Sequence, residues 1–200
     1  MLTTLKNAFK IKEIRSKILF TFAMLVVIRI GSQLPVPGVR GDFFRNWFQS
    51  QAEGAFSFFD AVTGGSFINM SILALNITPY ITSSIIMQLL TIAIPKLEEM
   101  QRDGEDGRKK IASITRYVTI ALALIQSTAM AVGFGRQGYL VKFDALNIIC
   151  AITTLTAGSA FLMWVGERIT EKGIGNGISI VLVINIISRL PEDLHNLFQQ

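Results

Sequence analysis

The chain contains one cysteine, one histidine and few charges. A lone thiol, Cys150 inside an apolar run, excludes a disulfide framework. One thiol and one imidazole, distant in sequence, give no Cys/His ligand set for a metal. His195 sits in a polar tail near the C-terminus, and Ser66, Ser71 and Ser127 have no histidine near them in sequence, so no nucleophile–base pair appears. Charged residues make up only 16% of the 200, where a soluble domain carries about a quarter. Half of the residues are hydrophobic and mean hydropathy is +0.48. This is the composition of an integral membrane protein.

The largest absence is local. Residues 61–95, 35 in all, hold no charged side chain. One membrane-spanning helix needs only ~20 apolar residues. The run is too long for one span, too short for two, and is punctuated by Gly64-Gly65 and by Pro79. It predicts a helix that enters part way, a turn, and then one complete span. Such a re-entrant segment is tolerated only where it is buried in protein or lines a cavity. That points to a pore or a transporter rather than an anchor.

The rest of the chain is read around this run. Residues 1–17 form a basic amphipathic segment carrying Lys6, Lys10, Lys12, Arg15 and Lys17, suited to a membrane surface. Spans are expected over 18–36, 70–94, 114–134, 148–165 and 174–187, with a short apolar stretch at 55–69, a charged loop at 95–113 and a polar tail at 188–200. The loop after the first span, 37–51, reads as polar, and no small-residue cleavage site follows that span. With the N-terminus in the cytosol, thirteen Lys and Arg residues fall on the inner side and five on the outer. The positive-inside rule therefore sets the orientation, and the net charge of +5 is chiefly a topology signal. Five spans put the two ends on opposite faces, so a second half of the same design would enter inverted, a common plan for proteins with a central pathway.

Three patterns stand out. Between Leu75 and Gln88, Ile77, Ile81 and Ile85 recur at every fourth position and share a helix face, beside a small polar face of Thr78, Thr82 and Ser83. The Gly173-Ile174-Gly175-Asn176-Gly177 run has neither the strand before it nor the lysine that a phosphate loop requires. It reads as a helix start whose open donors Asn176 satisfies. Glu167 and Glu171 lie among Arg168 and Lys172 and read as paired surface charges rather than an acid/base couple. Arg29 is a charge inside a span, and such a residue is either functional or snorkels to the interface.

Three motifs carry a resemblance along essentially the whole chain. They are Arg29-Ile30-Gly31-Ser32-Gln33-Leu34-Pro35-Val36-Pro37-Gly38, the run from Leu75 to Leu90, and the run from Phe161 through Trp164, Gly166, Glu167 and Arg168 to Gly173-Ile174-Gly175-Asn176-Gly177-Ile178-Ser179. With them the chain resembles the N-terminal half of SecY, the channel subunit of the bacterial protein translocon. Asn76 stands where that family has glycine, Leu182 where isoleucine is usual, and the family's second half is absent.

The resemblance implies an all-α integral membrane fold of five transmembrane helices plus a short re-entrant plug helix, half of an inverted-repeat channel. It implies a pore ring of Ile77, Ile81, Ile178 and Leu182. An apolar constriction of this kind blocks ions by dewetting. The plug would contain Phe56, Phe58, Phe59, Gly64, Gly65 and Phe67, and Thr82, Ser83 and Gln126 would lie at a lateral gate toward lipid. Implied partners are a translocating polypeptide, the missing C-terminal half or a second copy, SecE and SecG subunits, a SecA motor or ribosome, and membrane lipid. The expected location is the bacterial inner membrane. No cofactor and no enzymatic reaction are implied. Two other readings remain at this stage. One is half of an inverted-repeat secondary transporter. The other is a truncated or insertion-intermediate form with no transport activity alone.

Overall fold

The computed structural model describes residues 11–50, 60–140 and 142–198. Residues 1–10 of the basic segment, and Phe56, Phe58 and Phe59 of the expected plug, lie outside the described residues.

Among the described residues the named elements are all helical: α1 (Lys12–Gln33), α2 (Gly41–Ser50), α3 (Thr78–Ala93), α4 (Pro95–Arg102), α5 (Glu105–Arg136), α6 (Ala145–Lys172) and α7 (Gly177–Phe198). α5 and α6, of 32 and 28 residues, are long and apolar enough to cross a membrane. α3 and α4 would supply a third crossing only if taken together, but they meet at a bend of 101°. The bend has a local cause. Ile94 is extended and Pro95 opens α4, because the residue before proline is driven out of the helical region. α4 carries Lys96, Glu98, Glu99 and Arg102 and buries none of its residues.

Several expected boundaries are corrected. Residues 12–17 are the opening turns of α1 itself rather than a separate surface helix. The expected loop 37–51 contains α2, whose Phe44 and Phe48, one turn apart, are buried. The expected loop 95–113 is helical except at the turn around Gly104, which has φ +79. The expected tail from 188 continues as helix to Phe198. Pro191 removes one backbone donor without ending the helix.

The most consequential correction concerns the second span. Helix begins at Thr78, not at residue 70, and residues 64–77 are a chain of turns. Four residues there hold left-handed backbone angles, Gly64 (φ 65), Gly65 (φ 80), Met70 (φ 42) and Asn76 (φ 53). A right-handed helix cannot pass through such positions. Pro79 falls in the first turn of α3, where its missing N–H is harmless.

The irregular segment is nonetheless the hub of the core. Leu73 and Ile77 pack with Ile28, Leu162, Val165, Ile169 and Val181. Ala74 and Leu75 pack with Val36, Ala131, Ala151 and Leu155. Phe67 and Met70 pack with Phe44 and Phe48. Its backbone is satisfied locally and by the strand-like exit of α1. Ser71 N–H donates to Ser66 O at 3.0 Å and Asn76 N–H to Leu73 O at 2.8 Å, while Val36 N–H donates to Met70 O and Ile72 N–H to Leu34 O, each at 2.9 Å. These are the conditions under which non-helical backbone survives at membrane depth.

Candidate channel site

The residues expected to form a waist come from three pieces of chain. Ile77 ends the irregular segment, Ile81 lies on the first turn of α3, and Ile178 and Leu182 occupy successive turns of α7. Ile77 is completely buried, and Ile81 and Ile178 pack half-exposed against the same cluster. The meeting point is Gly166 on α6. A Cβ there would fall 3.4 Å from Ile77 Cδ1 and 3.3 Å from Ile178 Cγ1. Leu182, one turn further along α7, is half-buried. The fold thus brings Ile77, Ile81 and Ile178 to one apolar locus. Ile77 is already packed there, and Ile81, Ile178 and Leu182 keep exposed area.

The start of α7 is fixed as the glycine run predicts. Asn176 Oδ1 accepts from Ile178 N–H at 3.1 Å and Ser179 N–H at 3.4 Å, an N-cap that occupies two otherwise open donors. Gly177 lies so close to α6 that a Cβ would stand 2.0 Å from Gly166 O. This close approach is what sets Ile178 beside Gly166.

Residues 60–67 lie beside Asn76 and against α7 at Asn185. Asp60 Oδ1 accepts from Ile68 N–H at 2.9 Å and closes the turn between them. Phe67 is held edge-on to Phe44, with ring centroids 5.5 Å apart. Gly64 abuts α7 directly: a Cβ would lie 2.5 Å from Asn185 O, and its φ is +65. Only glycine meets both demands. Beneath it, Asn76 Nδ2 donates to Val62 O at 3.2 Å, and Asn185 Nδ2 donates to Asn76 Oδ1 at 2.9 Å. Arg29 Nη1 reaches Gly64 O at 3.5 Å, so the guanidinium of α1 points to this segment rather than away from it.

The residues expected at a lateral gate separate into two groups. Ser83 is buried between α3 and α5, with its hydroxyl 2.5 Å from Thr119 Oγ1 and donating to Tyr80 O at 2.9 Å. It belongs to the packing of those two helices and presents nothing to an outer seam. Thr82 and Gln126 remain half-buried. The acidic pair behaves as surface charge: Glu167 takes Arg116 Nε at 2.8 Å and Glu171 takes Arg168 Nη1 at 2.8 Å. Among the described residues there is no cluster of His, Cys, Asp and Glu able to hold a metal.

Sequence reasoning did not assign Asn76 and Asn185 to the site. The usable signal was their chemistry, since an amide inside an apolar span is costly unless bonded. The left-handed angle at Asn76 supplies a reason for the residue type as well. Asparagine is among the non-glycine side chains that best tolerate this angle.

Comparisons with known proteins identify the family and the fold. The SecY family model matches residues 71–200. The protein translocase subunit SecY of Pseudomonas aeruginosa is 42% identical over 189 residues, covering 94% of this chain and 43% of that protein. The Staphylococcus carnosus protein of the same name is 43% identical over 204 residues, covering 100% of this chain and 47% of its own length. Among solved structures, Sec61 in the canine ribosome–channel complex from the endoplasmic reticulum aligns over 92% of this chain and 42% of that one, with TM-score 0.61 and 19% identity. A structure described as a protein conducting channel aligns with the same score and identity over 92% and 41%. At that identity the structures establish the shared fold. The chain belongs to the SecY family, and it spans somewhat less than half the length of these relatives.

Proposed function

We propose that this chain forms one half of the wall of a protein-conducting channel in the bacterial inner membrane, with its N-terminus in the cytosol. Five crossings are then α1, α3 completed by residues 64–77, α5, α6, and the apolar part of α7 (Gly177–Ser188). Ile81, Ile178 and Leu182 face the pathway, Ile77 buttresses them, and the 60–71 segment is the plug that caps it. Thr82 and Gln126 border the seam through which apolar segments pass to lipid. The observation that carries this reading is the convergence of Ile77, Ile81 and Ile178 from separate parts of the chain on one apolar locus against α6. Branched aliphatic side chains dewet a constriction and make no fixed polar contact with a moving polypeptide, so they yield to many sequences.

The chain itself is not an enzyme on this reading, and the driving energy comes from a SecA motor or a ribosome. The other half of the wall is a C-terminal half or a second copy, with SecE and SecG at the periphery. Large apolar side chains left uncovered on α3 and α7, among them Ile85 at 52%, Val183 at 51% and Ile187 at 50% exposure, support a need for such partners and for lipid. A secondary transporter would need open polar groups at the midplane, and Asn76 and Asn185 are instead bonded to each other.

The test is site-specific crosslinking in the assembled complex, with Cys150 replaced by serine. Cysteine at Ile81 or Ile178 should crosslink to a polypeptide stalled in transit. Ile92, 81% exposed on α3, serves as the lipid-facing control. Crosslinking at 81 and 178 no stronger than at 92 would remove the pore assignment.

A further inference from the structure

The reading of residues 60–71 as a cap leaves open what holds the cap in its seat, and the polar groups buried beneath it answer that. Asn76 and Asn185 are 1% and 2% exposed. They belong to different elements, and their amides meet at 2.9 Å. The second arm of Asn76 grips Val62 O at 3.2 Å, and Ser159 Oγ on α6 donates to Asn76 O at 3.4 Å. Gly64 rests on the backbone of Asn185 itself. The two side-chain bonds of Asn76 therefore run one to the capping segment and one to α7, which frames it. We infer that Asn76 and Asn185 act together as a polar latch that holds the 60–66 segment in its seat against α7.

The latch is incomplete. Asn185 Oδ1 is buried and has no hydrogen-bond partner among the described residues. A buried acceptor without a donor offsets part of what the made bonds contribute. Departure of the segment breaks the grip on Val62 and opens both amides to water, which supplies the missing donor. The bridge thus stabilises the seated position while limiting how firmly it does so. A chain with glycine in place of Asn76 has no side chain to make either bond, so the device is specific to sequences that carry the asparagine.

The experiment uses the full-length protein in its assembled complex in vesicles, with Cys150→Ser and Val62→Cys, and measures labelling of position 62 by a membrane-impermeant maleimide. Loss of a buried hydrogen bond shifts an equilibrium by about tenfold, so Asn76→Gly, which removes the bond to Val62 O as well as the bridge, should speed labelling by at least about that factor, and Asn185→Ala, which removes only the bond that orients Asn76, by less. Glycine accepts the backbone angle of +53, so Asn76→Gly tests the bridge even if Asn185→Ala fails to assemble. The double variant should label no faster than Asn76→Gly alone, because both changes break one bridge. Unchanged labelling in Asn76→Gly, or a double variant faster by the product of the two single effects, would overturn the latch. Ion leak from the same vesicles separates this inference from the cap assignment. Faster labelling with no added leak supports the latch and contradicts the segment's role as a cap.

Discussion

The α5–α6 pair and the 60–77 segment bury comparable kinds of side chain by opposite means. On α5, Thr115, Thr119, Ala123, Ser127, Ala131 and Gly135 recur at every fourth position, and all six are buried. This stripe of small residues lets α6 and α3 approach closely, and its hydroxyls add cross-helix bonds to both, Ser127 to Thr156 at 2.9 Å and Thr119 to Ser83 at 2.5 Å. Backbone polarity is already satisfied inside each helix, so only packing remains to be solved. The 60–77 segment has no such internal ladder. It relies on four left-handed residues, on the exit of α1, and on individual side-chain bonds from Asp60, Asn76 and Arg29. A region held by many equivalent contacts resists displacement. A region held by a few distinct bonds departs once those bonds are traded, which suits the element proposed to move.

Substitutions can break this contrast, and the largest effect is expected where the two regions touch. A Cβ on Gly158 of α6 would lie 1.9 Å from Ile72 O. Gly158→Val should destabilise the full-length protein by about 3 kcal/mol, the upper end for overpacking, measured by unfolding in mixed micelles. A cost similar to that of a surface change would mean that the segment does not seat on α6. Asn76→Ala loses both amide bonds and leaves a Cβ at a left-handed angle, so about 2 kcal/mol is expected. Asn76→Gly should recover about 1 kcal/mol of that loss, and equal melting of the two variants would show the angle to be unimportant. Within the regular pair of α3 and α5, Ser83→Ala should cost about 0.6 kcal/mol, the mean for membrane helix bonds. Smallest of all, Glu167→Gln removes a partly exposed pair with Arg116 and should change stability by less than about 0.5 kcal/mol. If the order of the last two were reversed, the hydroxyl contact between α3 and α5 would not be a significant tie.

The same contrast explains how much of the fold could be read from residues alone. Long apolar runs gave α5 and α6 near their expected places, because an isolated helix satisfies its own backbone and only length and hydropathy matter. The cap of α7 by Asn176 was equally local. The start of α3 was not. Residues 70–77 are as apolar as a span, and their turns are fixed by partners distant in sequence, such as Leu34 and Val36. α2 escaped notice because it is only ten residues long and its aromatic residues, Phe43, Phe44, Trp47 and Phe48, are interspersed with Asp42, Arg45, Asn46 and Gln49. Of the candidate site, Ile77, Ile81 and Ile178 followed from motif positions. The role of Ser83 did not, since a hydroxyl on a helix face reads the same whether it meets a seam or a neighbouring helix. The pairing of Asn76 with Asn185 is separated by 109 positions, and no local pattern marks it.

The shortness of α3 has an effect on the surrounding lipid. Sixteen residues at 1.5 Å each rise ~24 Å, against a hydrocarbon thickness of ~30 Å. At one end the charged α4 turns away at 101° and so lies near the headgroups instead of extending the crossing. Acyl chains beside α3 must shorten or tilt to meet so brief a hydrophobic surface. On the channel reading proposed above, the bilayer is thinner along this flank than elsewhere around the protein.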